Sequence, residues 1–182
     1  MDTPSDFPAP TNPQEPLPNG QRIELVPVTA GDDPFVDHPS LQDIWPEPYR
    51  GEAARISRVH SATGEIFYVA LDGVVVGITG VFFEENIAPE DVYLRWTGVV
   101  PTARQEGLGR SVIRLVAQLC QERYPTRKRL IELVPDNAYG HAIPKPFFEK
   151  IGFLPCDIGI PSGEDKSWPV IAYAGDIHRL ST

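Results

Sequence analysis

The sequence predicts an α/β fold in which a mixed, mostly antiparallel central sheet is flanked by helices on both faces. Residues 65–71 and 74–83 are apolar, and the Asp-Gly pair at 72–73 between them favours a tight turn, so they predict an antiparallel hairpin. Residues 92–100 form another apolar run, and residues 108–123 repeat apolar side chains at helical spacing. A hairpin followed by a strand that leads into a helix favours a mixed sheet.

The first part of the chain is predicted to add one strand to this fold. Residues 1–20 are rich in proline and poor in apolar side chains, so they bury too little apolar surface to compensate for the conformational entropy lost on ordering. We therefore expect a disordered tail. Residues 21–182 are expected to form a single domain, since the 182-residue chain has the length of one domain. Residues 22–28 alternate as a strand does, and prolines break residues 31–58 into loops and short helices.

The second half of the chain continues the alternation of helices and strands. The helix that starts at Leu108 is predicted to end near Arg123, because Tyr124 precedes a proline and is disfavoured in helical conformation. The remaining elements are expected as a strand near 130–134, a short helix near 146–150, and strands around 153–158 and 170–173.

The composition excludes several classes of protein. With 16 Lys and Arg against 25 Asp and Glu, the net charge is −9, which argues against nucleic acid as a partner. No apolar run is long enough to cross a membrane, and no secretion signal is present, so we expect a cytoplasmic protein without a membrane partner. The cysteines, Cys120 and Cys156, are too few for a disulfide framework, and no metal site is expected.

The loop before the long helix carries Arg104, Gly107 and Gly109 in the spacing R-x-x-G-x-G. The N–H groups in the first turn of a helix lack carbonyl partners and carry partial positive charge, so they attract anions such as a pyrophosphate. Val112 stands where a dinucleotide fingerprint needs a third glycine, and the Gly-Lys-Ser/Thr of a Walker loop is absent. The loop is a candidate phosphate site, and the alternative is an ordinary turn between strand and helix.

A second motif is the run from Phe147 to Phe153, with the sequence FFEKIGF, which follows the apolar strand at 130–134. Together with the R-x-x-G-x-G loop, it resembles the GCN5-related N-acetyltransferase (GNAT) family, over roughly Tyr93 to Phe153. The resemblance implies the GNAT-like acyl-CoA N-acyltransferase fold, acetyl-CoA as the cosubstrate, and a single acetyltransferase domain over residues 21–182.

The resemblance also implies which residues bind the coenzyme. The main chain at Val99 is expected to pair with the pantetheine arm, and Asn137 is expected to hydrogen-bond that arm. Phe148 heads the aromatic run and is expected beside the coenzyme. The loop that would hold the pyrophosphate comprises Arg104, Gln105, Glu106, Gly107, Leu108, Gly109 and Arg110.

The catalytic residues are less clearly indicated, because most members of the family carry a tyrosine where this chain has Phe148. Tyr139 and His141 are the nearby candidates for the acid that protonates the leaving thiolate, and each is alternatively a solvated loop side chain. Glu85, with its neighbour Glu84, is the candidate base, and the alternative is a solvated strand end.

The resemblance implies an acetyl-CoA-dependent N-acetyltransferase that moves an acetyl group directly to a primary amine of a small molecule or peptide. The lack of an evident base and of the usual tyrosine leaves open a catalytically silent acyl-CoA-binding module. A third hypothesis is an interaction protein that acts through its proline-rich tail. The resemblance further implies that residues 31–58 form one wall of the acceptor site, and that the chain could form a homodimer.

Overall fold

The computed structural model describes residues 12–29, 31–46, 64–83, 88–104, 107–158 and 170–182. Residues 1–11 of the predicted tail, and the predicted site residues Glu85, Gln105 and Glu106, lie outside the described residues.

The centre of the fold is a mixed sheet of eight strands. All neighbouring strands pair antiparallel except β5 and β6, which pair in parallel. The predicted mixed, mostly antiparallel sheet is therefore confirmed. The strands are β1 (Gln14–Pro16), β2 (Arg22–Pro27), β3 (Gly64–Leu71), β4 (Val74–Phe82), β5 (Asp91–Val99), β6 (Arg129–Pro135), β7 (Leu154–Pro155) and β8 (Val170–Asp176), in the spatial order β1-β2-β3-β4-β5-β6-β8-β7.

Helices flank this sheet, and the long one has the predicted bounds. None of the described helices combines the length and the apolar character needed to cross a membrane. The described α-helices are α1 (Pro34–Asp37), α2 (Leu108–Arg123), α3 (Ala138–Ala142), α4 (Pro144–Lys150) and α5 (Ile177–Leu180), and 3₁₀ turns cover Pro39–Ile44 and Pro101–Ala103. The short helix predicted near 146–150 starts earlier, at Pro144, because proline is well tolerated at the first helical positions.

The predicted hairpin is confirmed as the pair β3 and β4. Asp72 and Gly73 both have positive φ, at 49° and 81°, as a tight turn between twisted strands requires. The carboxylate of Asp72 also accepts a hydrogen bond from the backbone N–H of Arg22 at 2.8 Å, which ties the turn to β2.

Side chains that alternate along the central strands form two apolar clusters. Val92 and Leu94 of β5 belong to the larger cluster, whereas Tyr93 between them belongs to the smaller one. Successive side chains of a strand point to opposite faces, so the two clusters lie on opposite faces of the sheet. The larger cluster includes the predicted apolar stripe of α2, namely Leu108, Val112, Leu115, Val116 and Leu119.

The N-terminal segment differs from the prediction of a disordered tail over residues 1–20. Within residues 12–20, β1 pairs with β2, and Leu17 is buried at 5% exposure. The carboxylate of Glu15 accepts two hydrogen bonds from the guanidinium of Arg114 on α2, both at 2.6 Å. These contacts with distant residues fix a segment whose own composition is typical of disorder, so that part of the prediction is wrong.

The sheet opens between β5 and β6 toward the C-terminal end of both strands. Their parallel pairing ends at Leu94 and Glu132, after which β4 is the one described strand that pairs with β5. The register of β4 and β5 shifts at a bulge, where Trp96 has a φ of 56°. A cleft therefore forms beside the second half of β5.

Candidate active site

A cavity of about 490 Å³ occupies this cleft. Its walls come from the 3₁₀ turn before Trp45, the end of β5, the start of α2, and the helices α3 and α4. The residues that line it include Ile44, Trp45, Gly98, Val99, Arg104, Gly107, Gly109, Arg110, Tyr139, Phe148 and Lys150.

The start of α2 at this cavity is preceded by a glycine, which has no side chain to cap the helix. Gly107 precedes the helix with a φ of 87°, and no side chain hydrogen-bonds the first N–H groups of α2 among the described residues. A Cβ at Gly107 would meet nothing within 4 Å, so glycine is required here by the left-handed backbone, and the space above it is open. Gly109 serves packing, since a Cβ there would lie 3.0 Å from the ring of Phe147.

The charge of the cavity wall suits an anion. Arg104, Arg110 and Lys150 line the cavity, and its described lining residues include no carboxylate. The N-terminus of α2 adds the partial positive charge of its N–H groups. Uncapped amides and cations therefore face the same space, which is the arrangement that binds phosphate groups.

The cavity brings together most of the described residues predicted for the site. Two predicted residues, Asn137 and His141, are not among its lining residues. The predicted residues that line it are Val99, Arg104, Gly107, Leu108, Gly109, Arg110, Tyr139 and Phe148.

Asn137 has a local structural role. Its side-chain oxygen accepts a hydrogen bond from the N–H of Gly140 at 3.1 Å, so it caps the N-terminus of α3. Gly140 itself packs so tightly on β6 that a Cβ would lie 1.6 Å from the carbonyl oxygen of Pro135. The cap and this contact place α3 against the end of β6.

His141 belongs to a polar cluster beside the cavity. Its Nε2 lies 2.7 Å from a carboxylate oxygen of Asp136 and 2.8 Å from the ammonium of Lys145. Lys145 also donates to Asp136 at 2.9 Å, and the hydrogen bonds from Lys145 and His141 lower the pKa of that carboxyl group. The His141 side chain is 60% exposed, which makes it a weaker candidate for the acid than a group on the cavity wall.

Phe148 is buried at 5% exposure, and its ring packs against Phe147 and Phe153 at 5.1 Å between centroids. The ring therefore contributes apolar wall and no proton. Tyr139 is the tyrosine among the described lining residues of the cavity, so it is the better placed of the two predicted acids.

Glu132 is a candidate functional residue that the sequence reasoning missed. It forms the last parallel pair at the base of the cleft, and its buried Oε2 has no hydrogen-bond partner among the described residues. Burial raises the pKa of Glu132 to about 8, although the guanidinium of Arg95 partly opposes this shift. A single carboxylate within the apolar run from Leu130 to Val134 was the available signal, because unpaired carboxylates are rarely buried without a function.

Comparisons with known proteins identify the family of this chain. The model of the acetyltransferase (GNAT) family matches residues 34–153. Among curated proteins, none matches the chain. Solved structures of low sequence identity share the fold.

A GNAT acetyltransferase from Elizabethkingia anophelis, solved with acetyl-CoA bound, superposes with a TM-score of 0.59 at 16% identity, over 85% of this chain and 97% of that one. An acetyltransferase from Thermus thermophilus gives 0.56 at 21% identity, over 85% and 96%. The ribosomal L7/L12 α-N-protein acetyltransferase RimL, in complex with coenzyme A, gives 0.58 at 11% identity, over 86% and 95%. Because the family match spans β3 to β6, the loop before α2 and the aromatic run, the chain belongs to the acetyltransferase (GNAT) family.

Proposed function

We propose that the protein is an acetyl-CoA-dependent N-acetyltransferase that moves an acetyl group directly to a primary amine. The observation that carries this proposal is the N-terminus of α2 at Gly107, where no described side chain caps the first N–H groups and which faces a cavity lined by Arg110 and Lys150. The acetyl-CoA bound to the Elizabethkingia anophelis protein supports the choice of cosubstrate.

The residues present fit that cosubstrate. Its pyrophosphate requires several N–H donors and positive charge, which the start of α2 and the neighbouring cations supply. Its pantetheine arm is extended and amide-bearing, and none of the described strands pairs with the cleft side of the second half of β5, where strand-like pairing is available. Phe148 and Ile151 provide an apolar wall for the rest of the cosubstrate.

Glu132 is the proton acceptor in this proposal. A primary amine is protonated at neutral pH and must lose a proton before it attacks a thioester carbonyl. A carboxylate with a pKa of about 8 is a far stronger base than an exposed one. Glu132 pairs with Leu94, and the cavity lining on β5 starts at Thr97, about 10 Å along the strand. In this proposal, water between the cavity and Glu132 carries the proton over that distance.

Tyr139 supplies a proton to the sulfur in this proposal. The amine nitrogen forms a bond to the acetyl carbon, the carbon–sulfur bond breaks, and the thiolate takes the phenol proton of Tyr139. The ammonium gives its first proton to Glu132, which later releases that proton to solvent. The nitrogen loses a second proton as the amide forms, and this proton restores the phenol of Tyr139, so that each turnover releases one proton in total. The earlier candidate base, Glu85, lies outside the described residues.

The test is acetyl-CoA turnover, measured as thiol release, against a panel of amines. The panel contains spermidine, phenethylamine, an aminoglycoside and a peptide with a free N-terminus, the last because RimL is an α-N-protein acetyltransferase. Turnover with at least one amine supports the proposal. Coenzyme A binding in calorimetry without turnover on any amine would favour the catalytically silent module, and no binding would refute both.

A further inference from the structure

Two parts of the chain that lie far apart in sequence meet at one corner of the cavity. Ile44 and Trp45, which we call the Trp45 wall, lie at the end of the 3₁₀ turn Pro39–Ile44. Arg104 follows the end of β5 and is separated from Ile44 by 60 positions. All three residues line the cavity, so the way in which they are joined shapes the site.

An apolar contact seats the Trp45 wall on β5. Ile44 is 4% exposed, and a Cβ at Gly98 would lie 2.3 Å from its Cγ2 atom. Only a glycine at this position lets the Ile44 side chain reach the backbone of β5. Trp45 then packs edge-on against Trp96, with ring centroids 5.6 Å apart and planes at 90°.

A polar contact holds the same wall from the other side. The Nε of Arg104 donates to the carbonyl oxygen of Val99 at 3.1 Å, and its Nη2 donates to the carbonyl oxygen of Ile44 at 3.2 Å. One planar guanidinium thus connects the end of β5 to the Trp45 wall. Two directional bonds from one fork are the kind of contact for which lysine is a poor substitute.

We propose that Arg104 is a positioning residue, which braces the Trp45 wall against β5 and so sets the shape of the acceptor side of the cavity. Its two donated bonds point to backbone carbonyls, whereas a phosphate contact would leave these carbonyls unfilled. The effect on acceptor binding rests on the proposed function above, but the brace itself does not. Arg110, which also lines the cavity, provides the matched comparison.

The test is hydrogen exchange of the ligand-free protein, read on peptides that cover residues 38–46. Loss of a hydrogen bond of ordinary strength should speed exchange there about fivefold in R104A and, because the fork is lost, in R104K. R110A should leave these peptides unchanged. If the peptides over residues 38–46 exchanged at the wild-type rate in R104A, or were as protected in R104K as in the wild type, the proposal would be overturned.

A second variant decides the result if R104A loosens the whole fold, which peptides of α2 over residues 111–120 would reveal. G98A adds a Cβ that must push Ile44 off β5 while Arg104 is kept. It should speed exchange at residues 38–46 and leave α2 protected. Unchanged exchange in G98A would show that the Trp45 wall does not rest on β5, and would overturn the proposal.

Kinetics then separate positioning from phosphate binding. With the fastest amine of the panel, R104K should raise the KM for the amine about fivefold and change the KM for acetyl-CoA by less than about twofold. A rise confined to the KM for acetyl-CoA would assign Arg104 to the phosphates instead. If the wild-type protein turns over no amine, the proposed function fails, and the exchange result still decides whether the brace exists.

Discussion

The two sides of the cleft obtain their functional groups in different ways. On the β5 and α2 side, the groups are mainly backbone N–H donors around Gly107, at the tip of one continuous strand–loop–helix unit. On the other side, the proposed groups are the side chains of Glu132 on β6 and Tyr139 on α3, whereas α4 carries Phe148 in place of the expected tyrosine. The first side resembles the family closely, whereas the second departs from it.

The difference shows why binding is easier to predict than catalysis in this chain. A backbone anion site needs a helix start and a glycine at positive φ, which are local properties of a few consecutive residues. A proton-transfer site needs side chains that tertiary structure brings together, and several arrangements can serve the same reaction. Variants on the two sides of the cleft test this contrast, from the largest expected effect to the smallest.

The largest effect is expected for G107E, which attacks the backbone site directly. Gly107 has a φ of 87°, and its missing Cβ faces open space, so a glutamate adds both strain and negative charge at the proposed phosphate site. Affinity for coenzyme A in calorimetry should fall by about 100-fold or more.

The matched control is G73E, in the hairpin turn. Gly73 has a φ of 81° and also no neighbour within 4 Å of its missing Cβ, so it carries the same backbone strain away from the cavity. G73E should lose similar stability and keep its affinity for coenzyme A. An equal loss of affinity in both variants would contradict the site at α2.

A smaller effect, on turnover alone, is expected for E132Q on the opposite side. Removal of a general base should lower kcat by about 100-fold, with little change in coenzyme A affinity. The wild-type rate should rise with pH through about 8, as Glu132 loses its proton, and that limb should vanish in E132Q. E122Q, at an exposed position of α2, is the control and should retain the wild-type profile.

The same variant tests the sign of the pKa shift through stability. Between pH 4.5 and about 8, the folded chain keeps a proton on Glu132 that the unfolded chain has released. The free energy of unfolding should therefore fall as the pH rises through this window, and E132Q should remove that contribution. Chemical denaturation of the wild type and of E132Q at several pH values measures this contribution. The same pH dependence of the free energy of unfolding in both proteins would contradict a raised pKa of Glu132.

A more moderate effect is expected for Y139F, because water can partly replace an acid. It should lower kcat about tenfold and leave coenzyme A affinity unchanged. Y124F removes a phenol at the far end of α2, where its hydroxyl donates to Glu65, and should keep the wild-type kcat. If H141A were slower than Y139F, the acid would belong to the polar cluster instead.

The smallest effect is expected for E15A, which tests whether the fixed N-terminal segment supports α2 without taking part in either function. Loss of the paired bonds to Arg114 should lower the free energy of unfolding by about 1 kcal/mol, with kcat and affinity unchanged. The exposed pair of Lys128 and Glu90 provides the control, and K128A should cost less. An equal loss of free energy of unfolding in E15A and K128A would show that the pair of Glu15 and Arg114 stabilises the fold no more than an exposed pair does.

The sequence predicted the hairpin, the long helix and the loop because their signals are local. Asp72 and Gly73 determine their own turn, and the apolar spacing of α2 identifies its buried face. That Gln14–Pro16 forms a strand was not predictable from composition, since the strand depends on pairing with β2 and on the contact with Arg114. The burial of a Glu132 carboxylate oxygen also depends on the pairing of β5 with β6, so the apolar run around Glu132 could indicate this burial but not establish it.

The strands at the two borders of the described sheet have a consequence for self-association. β1 spans only Gln14–Pro16 and β7 only Leu154–Pro155, and each contains a proline, which cannot donate a hydrogen bond to an incoming strand. Short, proline-bearing borders resist the edge-to-edge growth that leads to fibrils. The described sheet is therefore broad, yet its edge strands present few backbone groups with which a strand of another chain can pair.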